Sequence, residues 1–323
     1  MSKSLRPAPI LVIGPPRSAT TWVGNVLSAA PGAVSVHEPD NETQIPFAVK
    51  AKWGLGRFPV LGPSDDAPPD YERLWSAAFE ASTYRKTPNW YLAKLILKRT
   101  GTPQQRAAYC AGSDPHFSTG LKTVRALAPT PGPARPELRP VVKTVNAILS
   151  LEWILKRWDP KVVAVLRHPF EVVASWRELG WRDCNLDKDE RVLKRHVAHL
   201  DASQPGPDWS PLQRVAWQVG LLFSVLMDMA EREGGFMLAS HEELCIDPRL
   251  QFRSLYQALD LDWSEDVDAV IDASNRPGTG TTAARIASQQ VGRWRKRLQP
   301  DEVQQIRAVL EPFELSSLGT DWD

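Results

Sequence analysis

The stretch from Ile10 to Ala30 constrains this chain more than any other. It opens on an uninterrupted apolar run, Ile10 to Ile13, of the kind that fills a strand buried on both faces. Gly14, Pro15 and Pro16 stop that strand. Trp22, Val23, Val26 and Leu27 then recur at the three-to-four spacing of a buried helix face. A buried strand, a tight turn and a helix start make an anion site, because the first amides of a helix have no internal partner and point into the turn. Arg17 adds a charged fork suited to phosphate or sulfonate oxygens, and Ser18, Thr20 and Thr21 add hydroxyl donors.

Comparison with the nucleotide-kinase loop G-x-x-x-x-G-K-[ST] fails at two adjacent positions. Across Gly14 to Thr21, Ala19 stands at the second Gly and Thr20 at the Lys, and only the first Gly and the last hydroxyl, Thr21, are kept. Without that Lys the loop has no grip on the β- and γ-phosphates of a triphosphate. A kinase also predicts an acidic residue for Mg²⁺ at the end of a later strand, where this chain has Arg167.

Pro16-Arg17-Ser18-Ala19-Thr20-Thr21-Trp22 instead resembles the 5′-phosphosulfate loop of sulfotransferases, Pro-Arg/Lys-Ser-Gly-Thr-Thr-Trp/Leu. These enzymes use 3′-phosphoadenosine-5′-phosphosulfate (PAPS). Further matches follow in order. Arg167 closes the apolar run Val162 to Leu166, and Ser175 lies eight residues on, in a helix opened by Pro169. In the family this Arg–Ser pair binds the 3′-phosphate. The segment Phe236 to Pro248 resembles the family's Tyr-Glu-Asp-Leu…Asp-Pro, with His241 where the Tyr touches the cofactor. Residues 285–298 resemble the segment that caps the adenosine. Aligned on Gly292 and Trp294, Ala287-Ser288-Gln289 stands where the cytosolic enzymes have Arg-Lys-Gly, and Arg285 is displaced by two.

The base differs from the cytosolic type. Phenol and steroid sulfotransferases carry Lys-Thr-His, whereas Lys143-Thr144 is followed here by Val145, which cannot accept a proton. Glu38 lies 21 residues beyond Arg17, about where tyrosylprotein sulfotransferases place a Glu base. Glu38 is the candidate base, with His37 second. Lys143, ending a buried strand, offers a mobile ammonium to the group in flight.

The resemblance implies a single α/β domain over residues 1–323, with a P-loop-like central parallel sheet and helices on both faces. A variable acceptor-side insertion is expected at about 45–135 and a capping segment at about 277–298. The implied reaction is sulfuryl transfer from PAPS to a hydroxyl or amine of a small-molecule or natural-product acceptor. Glu38, Arg17 and Lys143 are the catalytic candidates. Contacts to PAPS, and to its product 3′-phosphoadenosine-5′-phosphate (PAP), fall to Arg17, Ser18, Ala19, Thr20, Thr21, Trp22, Arg167, Ser175, His241, Arg285, Ser288 and Arg293. No metal is expected. The alternative is a non-catalytic PAP or PAPS binder, for which Ala19 and the missing Lys-Thr-His are the signs. Ala for Gly at position 19 is harmless if φ is negative there and costly if it is positive.

Composition narrows the partners. A net charge of +1 gives no bulk reason for nucleic-acid or anionic-membrane binding, so anion recognition has to be local. Cys110, Cys184 and Cys245 have no metal-ligand spacing and read as reduced thiols of a cytoplasmic protein. The apolar run after the polar N-terminus is too short for a signal peptide or membrane anchor. Helices are expected over Tyr71–Ala81, Trp90–Lys98, Ser150–Trp158, Gln213–Glu233, Leu250–Leu259 and Asp301–Leu310, with a solvated one over Asp183–His199. Trp53, Phe58, Trp75, Trp90 and Tyr91 either line an acceptor pocket or fill the core, and core is the expectation for any one of them.

Overall fold

The computed structural model describes residues 7–84, 86–102, 105–106, 118–180, 185–198, 200, 204–278 and 286–315. In chain order its main elements are β1 (Ile10–Ile13), α1 (Thr20–Leu27), β2 (Ala33–His37), α2 (Pro46–Ala51), α3 (Pro69–Phe79), α4 (Pro88–Arg99), α5 (Ser118–Leu127) and β3 (Arg139–Thr144). There follow α6 (Leu151–Trp158), β4 (Lys161–Leu166), α7 (Pro169–Glu178), α8 (Pro211–Glu233), β5 (Met237–Ser240), α9 (His241–Ile246), α10 (Pro248–Ala258), α11 (Glu265–Ser274), α12 (Trp294–Arg297) and α13 (Pro300–Leu310). The strands form one five-stranded parallel sheet in the order β2-β3-β1-β4-β5, with helices around it. This is the α/β architecture that the apolar runs imply, since a strand covered on both faces has no polar side to show.

The chain divides into two compact units, Met1–Val12 with Gly32–Lys161, and Ile13–Pro31 with Val162–Asp323. In the first, β2 and β3 pair in parallel from Ala33↔Arg139 to His37↔Lys143. Its core is aromatic. Tyr71, Trp75 and Phe79, four residues apart on α3, pack with Trp153 and Trp158 at ring separations of 5.2–6.2 Å. Trp75 and Phe58 are therefore core, at 0% and 4% exposure, while Tyr91 is 57% exposed.

In the second unit β4 and β5 pair from Val163↔Met237 to Leu166↔Ser240. The long helix α8 buries Val215, Trp217, Leu221, Leu222, Val225, Leu226 and Met229, the stripe that the periodicity predicts. A reciprocal cap between Ser210 and Gln213 starts it.

Two expectations change. The region 45–135, in which two helices are expected, holds four among the described residues, and Pro opens α2, α3 and α4 at a first-turn position where its missing N–H costs nothing. After β5 comes the helix α9, started by Ser240, whose hydroxyl accepts from the Glu243 amide at 3.3 Å. The single solvated helix expected at 183–199 is, from residue 185, a 3₁₀ turn (Leu186–Lys188), a short α segment (Glu190–Val192) and a π turn (Leu193–Val197). The wider π turn brings Val197 onto the buried side with Val192, five residues earlier, where α spacing would rotate it outward. Among the described residues no helix is long and apolar enough to cross a membrane.

Candidate functional site

In the second unit the loop after β1 is shaped by unusual backbone. A Cβ on Gly14 would lie 2.5 Å from the Val165 carbonyl oxygen, so only Gly lets the chain leave the strand at this point. Arg17 (φ 79°) and Ala19 (φ 70°) both lie in the left-handed region, where non-Gly residues are strained. Ala19 is the N-cap of α1 and no side chain among the described residues caps that helix, so its first amides are offered to whatever occupies the turn. The Ser18 hydroxyl donates to the Pro15 carbonyl at 2.7 Å and closes the turn. Thr20 is buried, and Trp22 packs edge-on to Phe252 at 5.4 Å. Because Ala at position 19 holds a conformation that suits Gly, Ala19→Gly is expected to stabilise the fold by about 1 kcal/mol, or roughly 2–3 °C in Tm by calorimetry. An unchanged or lower Tm would mean that the loop does not hold this conformation.

Three residues of α7 and the end of β4 fasten this loop. Arg17 Nε donates to Ser175 Oγ at 3.0 Å, Arg167 donates to the Arg17 carbonyl at 3.0 Å, and Trp176 Nε1 donates to the Pro16 carbonyl at 2.8 Å. The three phosphate-binding candidates Arg17, Arg167 and Ser175 are thus brought together, although Arg167 and Ser175 are far from Arg17 in sequence. Arg167 Nε is buried and has no hydrogen-bond partner among the described residues. An unsatisfied buried guanidinium nitrogen beside an uncapped helix start fits an anionic oxygen.

Glu171, which sequence reasoning passed over, is the hub of the set. It is fully buried and accepts from Arg167 at 3.3 Å, from Arg297 at 3.2 Å and from the Trp294 amide at 2.7 Å. The capping segment is tied down by this carboxylate. Its only sequence signal is an acidic residue four positions after Arg167 in the first turn of a helix. His168 stacks on Trp294 at 5.3 Å.

His241 follows the C-terminal end of β5 and is 4% exposed. Burial and then the Arg167 charge push its imidazole down to about 4, so it is neutral at pH 7. Its Nε2 lies 3.4 Å from Cys245 Sγ, and burial pushes that thiol up to about 12. Glu242 accepts from the His168 amide at 3.1 Å. Burial pushes the Glu242 carboxyl up, but His241 and that amide outweigh it and hold the carboxyl at about 2. Ser288 and Arg293 are exposed, and Arg293 bonds Gln290 at 2.9 Å. Arg285 lies outside the described residues.

In the first unit Glu38 comes just past the end of β2, at φ 44°, with its amide donating to the Lys143 carbonyl at 2.7 Å. Parallel pairing sets His37 beside Lys143, so the residue after His37 reaches the Lys143 side chain. Lys143 Nζ forms a short ion pair with Glu38 Oε1, and Asn41 donates to the other oxygen. Burial pushes the Glu38 carboxyl up, but the Lys143 charge and hydrogen bond, with the Asn41 bond and the His37 charge, hold it below its ordinary value. His37 is itself held low, by partial burial and then by the Lys143 charge.

The segment carrying Glu38 is anchored from beneath. Asp40 is fully buried and accepts from Thr144 Oγ1 at 2.8 and 2.9 Å; burial pushes its carboxyl up to about 6 against the opposing Lys52 charge and Thr144 bond. Lys52, also fully buried, donates to the Asp40 carbonyl at 3.1 Å, to Glu42 at 2.8 Å and to the Arg57 carbonyl at 2.6 Å. Among the described residues no group of three or more His, Cys, Asp or Glu side chains is arranged to hold a metal ion.

The chain matches the model of the Sulfotransferase family over residues 9–265. Among curated proteins no sequence matches it. Solved structures similar to it include sulfotransferase STF9 from Mycobacterium avium, at 16% identity and a TM-score of 0.44 over 94% of this chain and 76% of that one. The sulfotransferase domain from the Synechococcus PCC 7002 olefin synthase is 15% identical, with a TM-score of 0.44 over 94% of both chains. The sulfotransferase domain from the curacin biosynthetic pathway is 13% identical, with a TM-score of 0.47 over 94% of this chain and 98% of that one. As the family match runs over most of its length, from before β1 to the start of α11, the chain belongs to the sulfotransferase family.

Proposed function

We propose that the chain moves a sulfuryl group from PAPS to a hydroxyl or amine of a small-molecule or natural-product acceptor. In this reading it is a cytoplasmic enzyme that resembles the tyrosylprotein type, with Glu38 as base in place of a Lys-Thr-His histidine. The observation that carries the donor reading is the hydrogen-bonded set of Arg17, Ser175 and Arg167 around the uncapped start of α1. Arg17 and the first amides of α1 hold the 5′-phosphosulfate end, and Arg167 with Ser175 holds the 3′-phosphate. Ser18 and Ala19 shape the loop; His241, Arg285, Ser288 and Arg293 serve the nucleotide side.

The donor supplies an activated sulfuryl group. The bond from sulfur to the acceptor oxygen forms as the bond from sulfur to the 5′-phosphate oxygen breaks, and PAP leaves. Glu38 receives the acceptor proton, and its depressed pKa keeps it ionised and ready across neutral pH. Lys143 holds Glu38 in the resting protein. As its ammonium turns to the departing phosphate oxygen, its hold on Glu38 weakens and the carboxylate becomes a stronger base when the proton has to be taken. The cationic side chains fill the charge-neutralising role that Mg²⁺ plays in phosphoryl transfer.

Titration calorimetry tests the donor. PAP is expected to bind and ATP with Mg²⁺ not to. Arg167→Ala is expected to weaken PAP by roughly 10²–10³-fold, the worth of two charge-assisted hydrogen bonds. Adenosine 5′-phosphosulfate, which lacks the 3′-phosphate, should bind both proteins alike. A preference for ATP with Mg²⁺ would overturn the donor reading in favour of a kinase.

A further inference from the structure

The helix α4 has two faces of opposite kind. Ala93 and Leu97 point inward and share a core with Val49 of α2 and with Leu121 and Val124 of α5. Tyr91, Leu92 and Leu95 point outward and are 57%, 46% and 46% exposed. Positions 91, 92, 95, 98 and 99 fall on one side of a 3.6-residue helix, so Lys98 and Arg99 flank the three apolar side chains. Both basic residues are exposed.

The helix is held firmly at each end. The Thr87 hydroxyl accepts from the Trp90 amide at 3.3 Å, and the Arg106 guanidinium donates to the carbonyls of Leu97, Thr100 and Gly101 at 2.9–3.0 Å. Lys94 lies over the Trp90 ring, and that ring sits edge-on to Tyr91 at 5.0 Å. The outward apolar face is thus part of a well-capped element.

Charge gives the face its partner. Neither α4 nor α5 contains an acidic residue, while together they carry Lys94, Lys98, Arg99, Lys122 and Arg125. Between Glu80 and Glu137 the sequence has a single acidic residue, Asp114. In a chain of net charge +1, this helix pair carries five positive charges and no negative one, and Lys98 and Arg99 share a side of α4 with its exposed apolar residues.

We infer that α4 docks this protein on an anionic lipid surface. Leu92 and Leu95 enter the headgroup boundary, Tyr91 sits at the boundary with its hydroxyl outward, and the lysine and arginine stems reach back to lipid phosphates. Three lysines among the five charges favour a bilayer over an acidic protein. An ammonium on a flexible stem suits diffuse surface charge, whereas a protein partner is met better by the fixed fork of arginine. The contact is peripheral, as α4 is too short to span. It stands independently of the transfer reading.

Vesicle co-sedimentation of the full chain tests this. One set of vesicles is phosphatidylcholine alone, and the other contains about one-third phosphatidylglycerol. Wild type is expected to partition at least about 25-fold more strongly onto the anionic set, and to lose that preference in high salt. Lys98→Gln with Arg99→Gln should lower partitioning onto the anionic set by roughly 25-fold, at about fivefold for each charge. Leu92→Ser with Leu95→Ser should lower it by a comparable factor. Both double variants alter exposed positions only and should keep the wild-type melting curve, so a loss of binding cannot be put down to unfolding. Equal binding to both vesicle types, binding to neither, or variants that bind like wild type would overturn the inference. Retention on poly-glutamate beads without vesicle binding would also overturn it, in favour of an acidic protein.

Discussion

Glu38→Gln is expected to lower kcat by about 10²–10⁴ while leaving PAP affinity within about twofold of wild type. Gln keeps the size and one hydrogen-bond acceptor but cannot take the acceptor's proton at neutral pH. A variant within about tenfold of wild type would move the base elsewhere, first to the neighbouring His37. The pH profile gives a second readout. The Glu38 carboxyl lies below its ordinary value, so the acid limb of kcat/KM should fall below the usual glutamate range and the profile should be flat through neutrality. Lys143 supplies the leading opposition to burial, so Lys143→Met should move that limb upward as well as lower kcat. Stability follows the same sign. A depressed folded pKa means that the Glu38–Lys143 pair contributes fully above the unfolded glutamate pKa, and that this contribution is lost as pH falls through the folded value.

Glu171→Gln is expected to cost about 3–5 kcal/mol of unfolding free energy in a urea titration followed by tryptophan fluorescence. The wild-type carboxylate, itself fully buried, is the shared acceptor for Arg167, Arg297 and the Trp294 amide. Gln keeps one acceptor but turns an NH₂ donor toward a guanidinium, and it removes the charge that two arginines face. Glu171→Asp retains that charge on a shorter stem and should lose less than Gln. Equal losses for the two would put the cost in packing and discard the charge-sharing account. Because Glu171 also orients Arg167, the Gln variant should bind PAP more weakly than wild type even where it is fully folded. Calorimetry at low temperature would separate the two effects.

The legible parts of this chain were local. Ile10 to Ile13, Pro140 to Lys143 and Val162 to Leu166 were readable as strands because each is a short apolar run bounded by turn residues, and a strand covered on both faces has to be so written. The loop before α1 was readable because Gly14, Pro15 and Pro16 break a strand and hydroxyls start a helix. The extent of α8 was readable from its stripe. Punctuation is ambiguous. In the region 45–135 three prolines, Pro46, Pro69 and Pro88, open helices while others lie in loops, and one-letter spacing does not distinguish the two.

The decisive details of the site lay elsewhere. Whether Ala19 is strained depends on the sign of φ, which is set by how α7 and Arg167 grip the loop, not by the residue type. That Glu38 meets Lys143 depends on the register of β2 against β3, more than a hundred residues apart in sequence. That Glu171 binds two arginines depends on the return of the chain at residues 294–297. The amino-acid order dictated the elements and the loop chemistry, since apolar period and turn propensity act over a few residues. The pairing of charges, the pKa values they set and the strain they sustain were decided by the folded chain, because Coulomb and desolvation energies depend on distance and burial in space.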